Sequence, residues 1–123
     1  MAPLISVVDD DDSVRESLES LIRSVGFTAK VFASAEEFLN SAYLRKTDCL
    51  VLDVRMPGMS GIELHRQLAA SGSKVPVIFI TSHGCHDARS QALSHGAVAH
   101  LTKPFSQDEL LQAVRAGLKS NSS

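Results

Sequence analysis

Asp9, Asp10, Asp11 and Asp12 stand in a row directly after the apolar run Leu4-Ile5-Ser6-Val7-Val8. Another aspartate, Asp53, closes the run Cys49-Leu50-Val51-Leu52. Thr81 and Ser82 end a third run that begins at Val75, and Thr102, Lys103 and Pro104 end a fourth, from Ala97 to Leu101. An apolar run of this length, bounded by turn residues, reads as a strand covered on both faces. Each reactive side chain therefore sits where a strand leaves its sheet. In open parallel sheets those ends share one edge, and that edge is where ligands bind. Singly, each residue has a plainer use: an aspartate before a helix caps it and suits its dipole, and a lysine before a proline is commonly a surface lysine. Four strand ends agreeing on one edge argue for a site.

Asp9, Asp10 and Asp53, once gathered, repel. At an effective dielectric of about 20, two like charges ~4 Å apart cost roughly 4 kcal/mol. Either a proton stays on or a cation neutralises the cluster. Hard oxygen donors with open positions suit Mg²⁺, which keeps waters and takes one or two carboxylates plus a phosphate oxygen. Lys103 offers a mobile ammonium for a phosphate oxygen, and Thr81 a hydroxyl donor. An aspartate among such partners is equipped to accept a phosphoryl group.

The elements that must position these residues alternate. Strands are expected at Leu4–Val8, Thr28–Phe32 (more polar, near an edge), Cys49–Asp53, Val75–Thr81 and Ala97–Leu101. Between them, Val14, Leu18, Leu21, Ile22 and Val25 recur on one helical face, which Gly26 ends. Asp12 or Ser13 is expected to cap that helix, with Asp11 solvated. Three capping boxes, Ser34/Glu37, Ser60/Glu63 and Ser106/Glu109, open further helices. The first of these is expected to bury Ala35, Phe38, Leu39 and Ala42, the second Leu64 and Leu68, and the third Leu110, Leu111, Val114 and Leu118. Ala88–His95 reads as a weak fourth helix with little to bury, and so the least firmly held element. Five β–α units imply a single α/β domain, a doubly wound five-stranded parallel sheet with five helices on both faces. The domain spans 4–118, and 119–123 is a polar tail or the start of a linker.

Composition narrows the function. The chain has 123 residues, 44% apolar and 21% charged, with a net charge of −2. That is enough for one core. No basic stripe is present, so direct nucleic-acid contact is not expected. No apolar run approaches a membrane span, and no signal-peptide pattern opens the chain. Cys49 and Cys85 do not make a disulfide framework. A cytoplasmic protein without membrane contact is the expectation.

Asp9-Asp10, Asp53, Thr81 and Lys103-Pro104-Phe105, in this order and spacing, resemble the receiver domain of two-component response regulators. The string Asp53-Val54-Arg55-Met56-Pro57-Gly58-Met59-Ser60-Gly61, like Val7-Val8-Asp9-Asp10-Asp11, resembles the FixJ-type branch. The resemblance covers about Leu4 to Leu118. It implies the flavodoxin-like strand order 2-1-3-4-5, an order the general description of this fold already assigns to receivers. It implies Asp53 as phosphoacceptor, with Mg²⁺ held by Asp10, Asp53 and the main-chain carbonyl of Arg55, and by Asp9 through a water. Thr81, Ser82 and Lys103 would contact the phosphoryl group, His100 would take part in the switch, and the Lys103–Pro104 bond is usually cis. Arg55 and His83 occupy positions that tune the lifetime of the phosphoryl group. The implied partners are a sensor histidine kinase and an output domain or downstream protein, and a phosphorylation-dependent homodimer. The implied output surface is the fourth helix, fifth strand and fifth helix, acting in transcription regulation.

Departures and alternatives accompany the resemblance. His100 stands where the family usually has Tyr or Phe; the plainer reading is a partly exposed edge histidine that does the same job, and the alternative is a ring whose charge near about pH 6.5 makes activation pH-sensitive. His83, Cys85, His86 and Asp87 suggest zinc, yet a closed zinc site draws ligands from separated segments. They read better as a polar loop. A haloacid-dehalogenase-type phosphohydrolase also uses a strand-end aspartate with Mg²⁺, but it needs a second acid two residues on. Arg55 is there instead, so turnover on outside substrates is not expected. A stand-alone receiver acting through protein–protein contacts is the remaining alternative.

Overall fold

The computed structural model describes residues 2–56, 58–81, 99–102 and 105–121. The weak helix expected at 88–95 lies outside them, as do Ser82, His83, Cys85, His86, Asp87, Lys103 and Pro104. Five strands are present: β1 (Leu4–Val8), β2 (Thr28–Phe32), β3 (Cys49–Asp53), β4 (Val77–Thr81) and β5 (Ala99–Thr102). They form one parallel sheet in the order β2-β1-β3-β4-β5. All five residues of β1, β3 and β4 are buried, whereas the outer strands β2 and β5 are only partly so. That is the burial expected of continuous apolar runs at the centre of a doubly wound sheet.

Strand alternation divides the core into two layers. Ile5, Val7, Cys49, Val51, Ile78 and Ile80 face α1 (Asp12–Ser24) and the C-terminal helix α4 (Gln107–Asn121). Val8, Leu50, Leu52, Val77 and Phe79 face α2 (Ala35–Leu39) and α3 (Gly61–Ala70). Ser6 shares the second face and is buried in a 2.6 Å hydroxyl pair with Thr47. Burying Leu18 and Ile22 holds α1 in place, and Leu110 and Val114 do the same for α4.

The capping chemistry is explicit. Ser60 and Glu63 complete a reciprocal box, as do Ser106 and Glu109. Ser34 accepts from the Glu37 backbone at 3.1 Å. Gly26 follows α1 with a φ of 93°, the left-handed conformation that glycine adopts without cost.

Several boundaries differ from the expectation. The α1 N-cap is Asp11, whose Oδ1 accepts from the backbones of Ser13 and Val14, so the aspartate expected to be merely solvated opens the helix. Val25 is 36% exposed, because the helix has already ended before it. α2 stops at Leu39, where the Asn40 and Ser41 side chains bond back to the carbonyls of Glu36 and Phe38. Ala42 is therefore exposed rather than core. β4 begins at Val77, one residue after Pro76, which lacks the donor a ladder needs. α4 continues to Asn121, into the stretch read as tail, since nothing in Lys119-Ser120-Asn121 breaks a helix.

Candidate functional site

Three strand ends build the site. β1 ends at Val8, and Asp9 follows it, fully buried, with its backbone N–H donating to the Phe32 carbonyl of β2 at 3.1 Å. Asp9 Oδ1 accepts from the Asp11 backbone at 2.9 Å, which turns the chain into α1 and leaves Asp10 exposed at the rim. Asp53 is the last residue of β3 and is 5% exposed. One carboxylate oxygen from each of Asp9, Asp10 and Asp53 lies within 4.8 Å of the others. Two of these carboxylates are withdrawn from water and the third is open to it. Three hard anionic oxygens of this kind fit a divalent cation, and at such spacing their mutual repulsion favours one. The acidic cluster is consistent with a divalent metal site.

The loop after Asp53 is tightly drawn. The Arg55 backbone N–H donates to Asp53 Oδ1 at 3.3 Å, while its side chain is exposed. The Gly61 N–H donates to the Val54 carbonyl at 3.0 Å. A Cβ on Gly61 would collide with the Asp53 carbonyl oxygen and sit 3.1 Å from Val54 Cα. Glycine is required here so that the start of α3 can pass against the phosphoacceptor candidate's own peptide.

Thr81 ends β4 and is 2% exposed. Its Oγ1 lies 3.0 Å from His100 Nε2 of β5, and either group can donate, depending on which ring nitrogen carries the proton. His100 pairs in register with Phe79, whose ring meets His65 edge-on with centroids 5.4 Å apart. Thus the structure brings Asp9, Asp10 and Asp53 together, with Arg55 beside Asp53, and it couples Thr81 to His100. Ser82, His83 and Lys103 lie outside the described residues.

Arg15 was not singled out from the sequence. Its guanidinium donates to the Asp9 main-chain carbonyl at 2.7 Å and forms an ion pair with Asp12. The available signal was spacing: Arg15 is three residues after Asp12 in the first turn of α1, so the two are neighbours on the helix surface. What spacing does not show is that the same side chain reaches back to the Asp9 carbonyl, just past the end of β1.

The comparisons agree with this geometry. The family described as "Response regulator receiver domain" matches residues 5–115. The chain is 48% identical over 118 residues to the response regulator protein TodT of Pseudomonas putida, covering 96% of this chain and 52% of that protein. It is 43% identical over 114 residues to the transcriptional regulatory protein FixJ of Azorhizobium caulinodans, covering 93% and 54%. The structure of the response regulator StyR superposes with a TM-score of 0.91 at 47% identity, over 99% of this chain and 62% of that one. The chain spans about half the length of the curated relatives it matches.

Proposed function

Because the chain belongs to the response regulator receiver domain family, we propose that Asp53 is its phosphoacceptor and that phosphorylation switches an output surface. The observation that carries the proposal is the meeting of Asp9, Asp10 and Asp53 within 4.8 Å at the carboxyl edge of the sheet, with Asp53 closing the central strand.

The residues divide the work. Asp53 supplies the attacking carboxylate oxygen, so an O–P bond forms as the N–P bond of a phosphohistidine donor breaks and the imidazole leaves. Asp10 and Asp53, with the Arg55 carbonyl, would hold Mg²⁺ directly, and Asp9 through a water. When bound, Mg²⁺ neutralises the charge gathered on the carboxylates and the phosphoryl oxygens. The Arg55 N–H fixes the Asp53 carboxylate orientation through its 3.3 Å bond to Oδ1. Thr81, Ser82 and Lys103 then contact the phosphoryl group, and His83 and the Arg55 side chain tune how long it persists. Arg55 stands two residues after Asp53, where a phosphohydrolase would carry its general acid. This supports a self-modifying switch without turnover on outside substrates.

The proposed partners are a sensor histidine kinase and an output domain or downstream protein. The curated relatives are longer than this chain, and one is named a transcriptional regulatory protein, which supports a role in transcription regulation. The proposed output surface comprises segment 88–95, β5 and α4, with a phosphorylation-dependent homodimer as one readout. Among the described residues no helix is long and apolar enough to cross a membrane. We place the domain in the cytoplasm, on the side where an ATP-dependent kinase carries its phosphohistidine.

Incubation with Mg²⁺ and acetyl phosphate, followed by intact-mass measurement, tests the reading. The native chain gains one phosphoryl group and Asp53→Asn gains none. An equal gain by Asp53→Asn removes Asp53 from the role.

A further inference from the structure

We propose that His100 is a positioning residue that latches Thr81 in the unphosphorylated state, so that Thr81 must leave His100 before it can serve a phosphoryl group on Asp53. The inference rests on the phosphoacceptor reading above and adds to it a residue-specific cost of switching.

The two faces of the sheet carry the argument. Along β3, Cys49 and Val51 pack on the α1 and α4 side, and alternation puts Asp53 on that same side. Asp9 follows Ile5 and Val7 in the same alternation. Along β4, Val77 and Phe79 pack on the α2 and α3 side, and alternation puts Thr81 with them. His100, paired with Phe79 in register, faces that side too, which is why its Nε2 can meet Thr81 Oγ1 at 3.0 Å. The bond therefore holds the hydroxyl on the face away from the acidic cluster. It does so whichever group donates, because in both directions Oγ1 is the atom held. A benzene ring at this position fills similar space but offers no hydrogen bond, so the latch belongs to the imidazole.

One net hydrogen bond of this kind shifts an equilibrium by about two- to tenfold. The probe is beryllofluoride, a stable phosphoryl mimic, titrated calorimetrically in the presence of Mg²⁺ into the native chain, His100→Phe, Thr81→Val and the double variant. Releasing the latch favours the bound state, so His100→Phe binds beryllofluoride about two- to tenfold more tightly than the native chain. In the Thr81→Val background there is no hydroxyl to release, and the same change leaves affinity unaltered. The latch is overturned by weaker or unchanged binding in His100→Phe. It is equally overturned by the same gain in both backgrounds, which assigns the effect to ring shape. Native chain that binds no beryllofluoride, or Asp53→Asn that binds it as well as native, is the failure of the phosphoacceptor reading itself and removes the latch with it.

Discussion

Arg15 joins the acidic cluster through the backbone of Asp9 and the side chain of Asp12. Its guanidinium satisfies the main-chain carbonyl of buried Asp9 and holds Asp12 at the start of α1. Arg15→Ala leaves that carbonyl without this partner, and an unmet buried acceptor costs about 1–3 kcal/mol. The expected outcome is a lower urea midpoint with an unchanged slope. An unchanged midpoint removes the structural role. Cys49 illustrates burial acting on a titratable group. Fully enclosed in β3, its thiol is pushed up to about 12, first by loss of hydration. The unfolded thiol titrates near 9.0, so above that pH the unfolded chain loses a proton the folded chain keeps. Stability is therefore complete below about pH 9 and falls between about pH 9 and 12 as far as this group is concerned. In Cys85→Ser protein, Cys49 should stay unreactive to a thiol reagent at pH 8 until denaturant is added. Prompt labelling of native protein contradicts its burial.

At the scale of elements, the β3–α3 connection is tightly constrained. Ser60 and Glu63 satisfy each other's backbone donors, and Ser60→Ala should cost about 1 kcal/mol through loss of the cap. Gly61→Ala should cost more, since its Cβ meets backbone atoms of Asp53 and Val54 that have no free rotamer to yield. Thermal unfolding of the two variants orders them. A Gly61→Ala midpoint at or above that of Ser60→Ala refutes the close approach. Gly61→Ala should also impair phosphorylation by acetyl phosphate, because the carbonyl it displaces belongs to Asp53. α4 has a milder close approach at Gly117, where a Cβ would lie 3.1 Å from the Cys49 Sγ and 3.3 Å from the Pro76 side chain.

At the scale of the molecule, the two core layers have different duties. The layer under α1 and α4 ends in the acidic cluster, and the layer under α2 and α3 ends in Thr81 and His100. A phosphoryl group on Asp53 would therefore have to be reported across the sheet edge to reach Thr81 and His100, whereas α4 of the proposed output surface packs on the face that carries the acidic cluster. If that surface drives self-association, beryllofluoride with Mg²⁺ should convert monomer to dimer in sedimentation velocity, and Asp53→Asn should remain monomeric. A native chain that stays monomeric when saturated refers the output to another domain or protein.

The fold was legible because its signals are local and repeated. Continuous apolar runs marked β1, β3 and β4, Ser-x-x-Glu boxes marked helix starts, and helical spacing picked out Leu18 and Ile22. The acidic cluster was legible for the same reason: a carboxylate at the end of a buried strand has one edge to occupy. Ala42 fits the helical spacing, yet α2 ends before it because the side chains of Asn40 and Ser41 compete for the carbonyls that would continue it. Four aspartates in a row offer several equivalent caps, and only the chain's path selects Asp11 among them. By itself, then, the sequence determined the strand and helix order, the residues at the carboxyl edge and the chemistry they are capable of, since these follow from apolar pattern and residue type. Tertiary structure alone decided that Arg15 reaches the Asp9 carbonyl, that Gly61 lies against Asp53, and that the Thr81 hydroxyl meets the His100 ring. Those facts depend on which face of the sheet each side chain takes and on distances between segments far apart in the chain, and no local pattern encodes them.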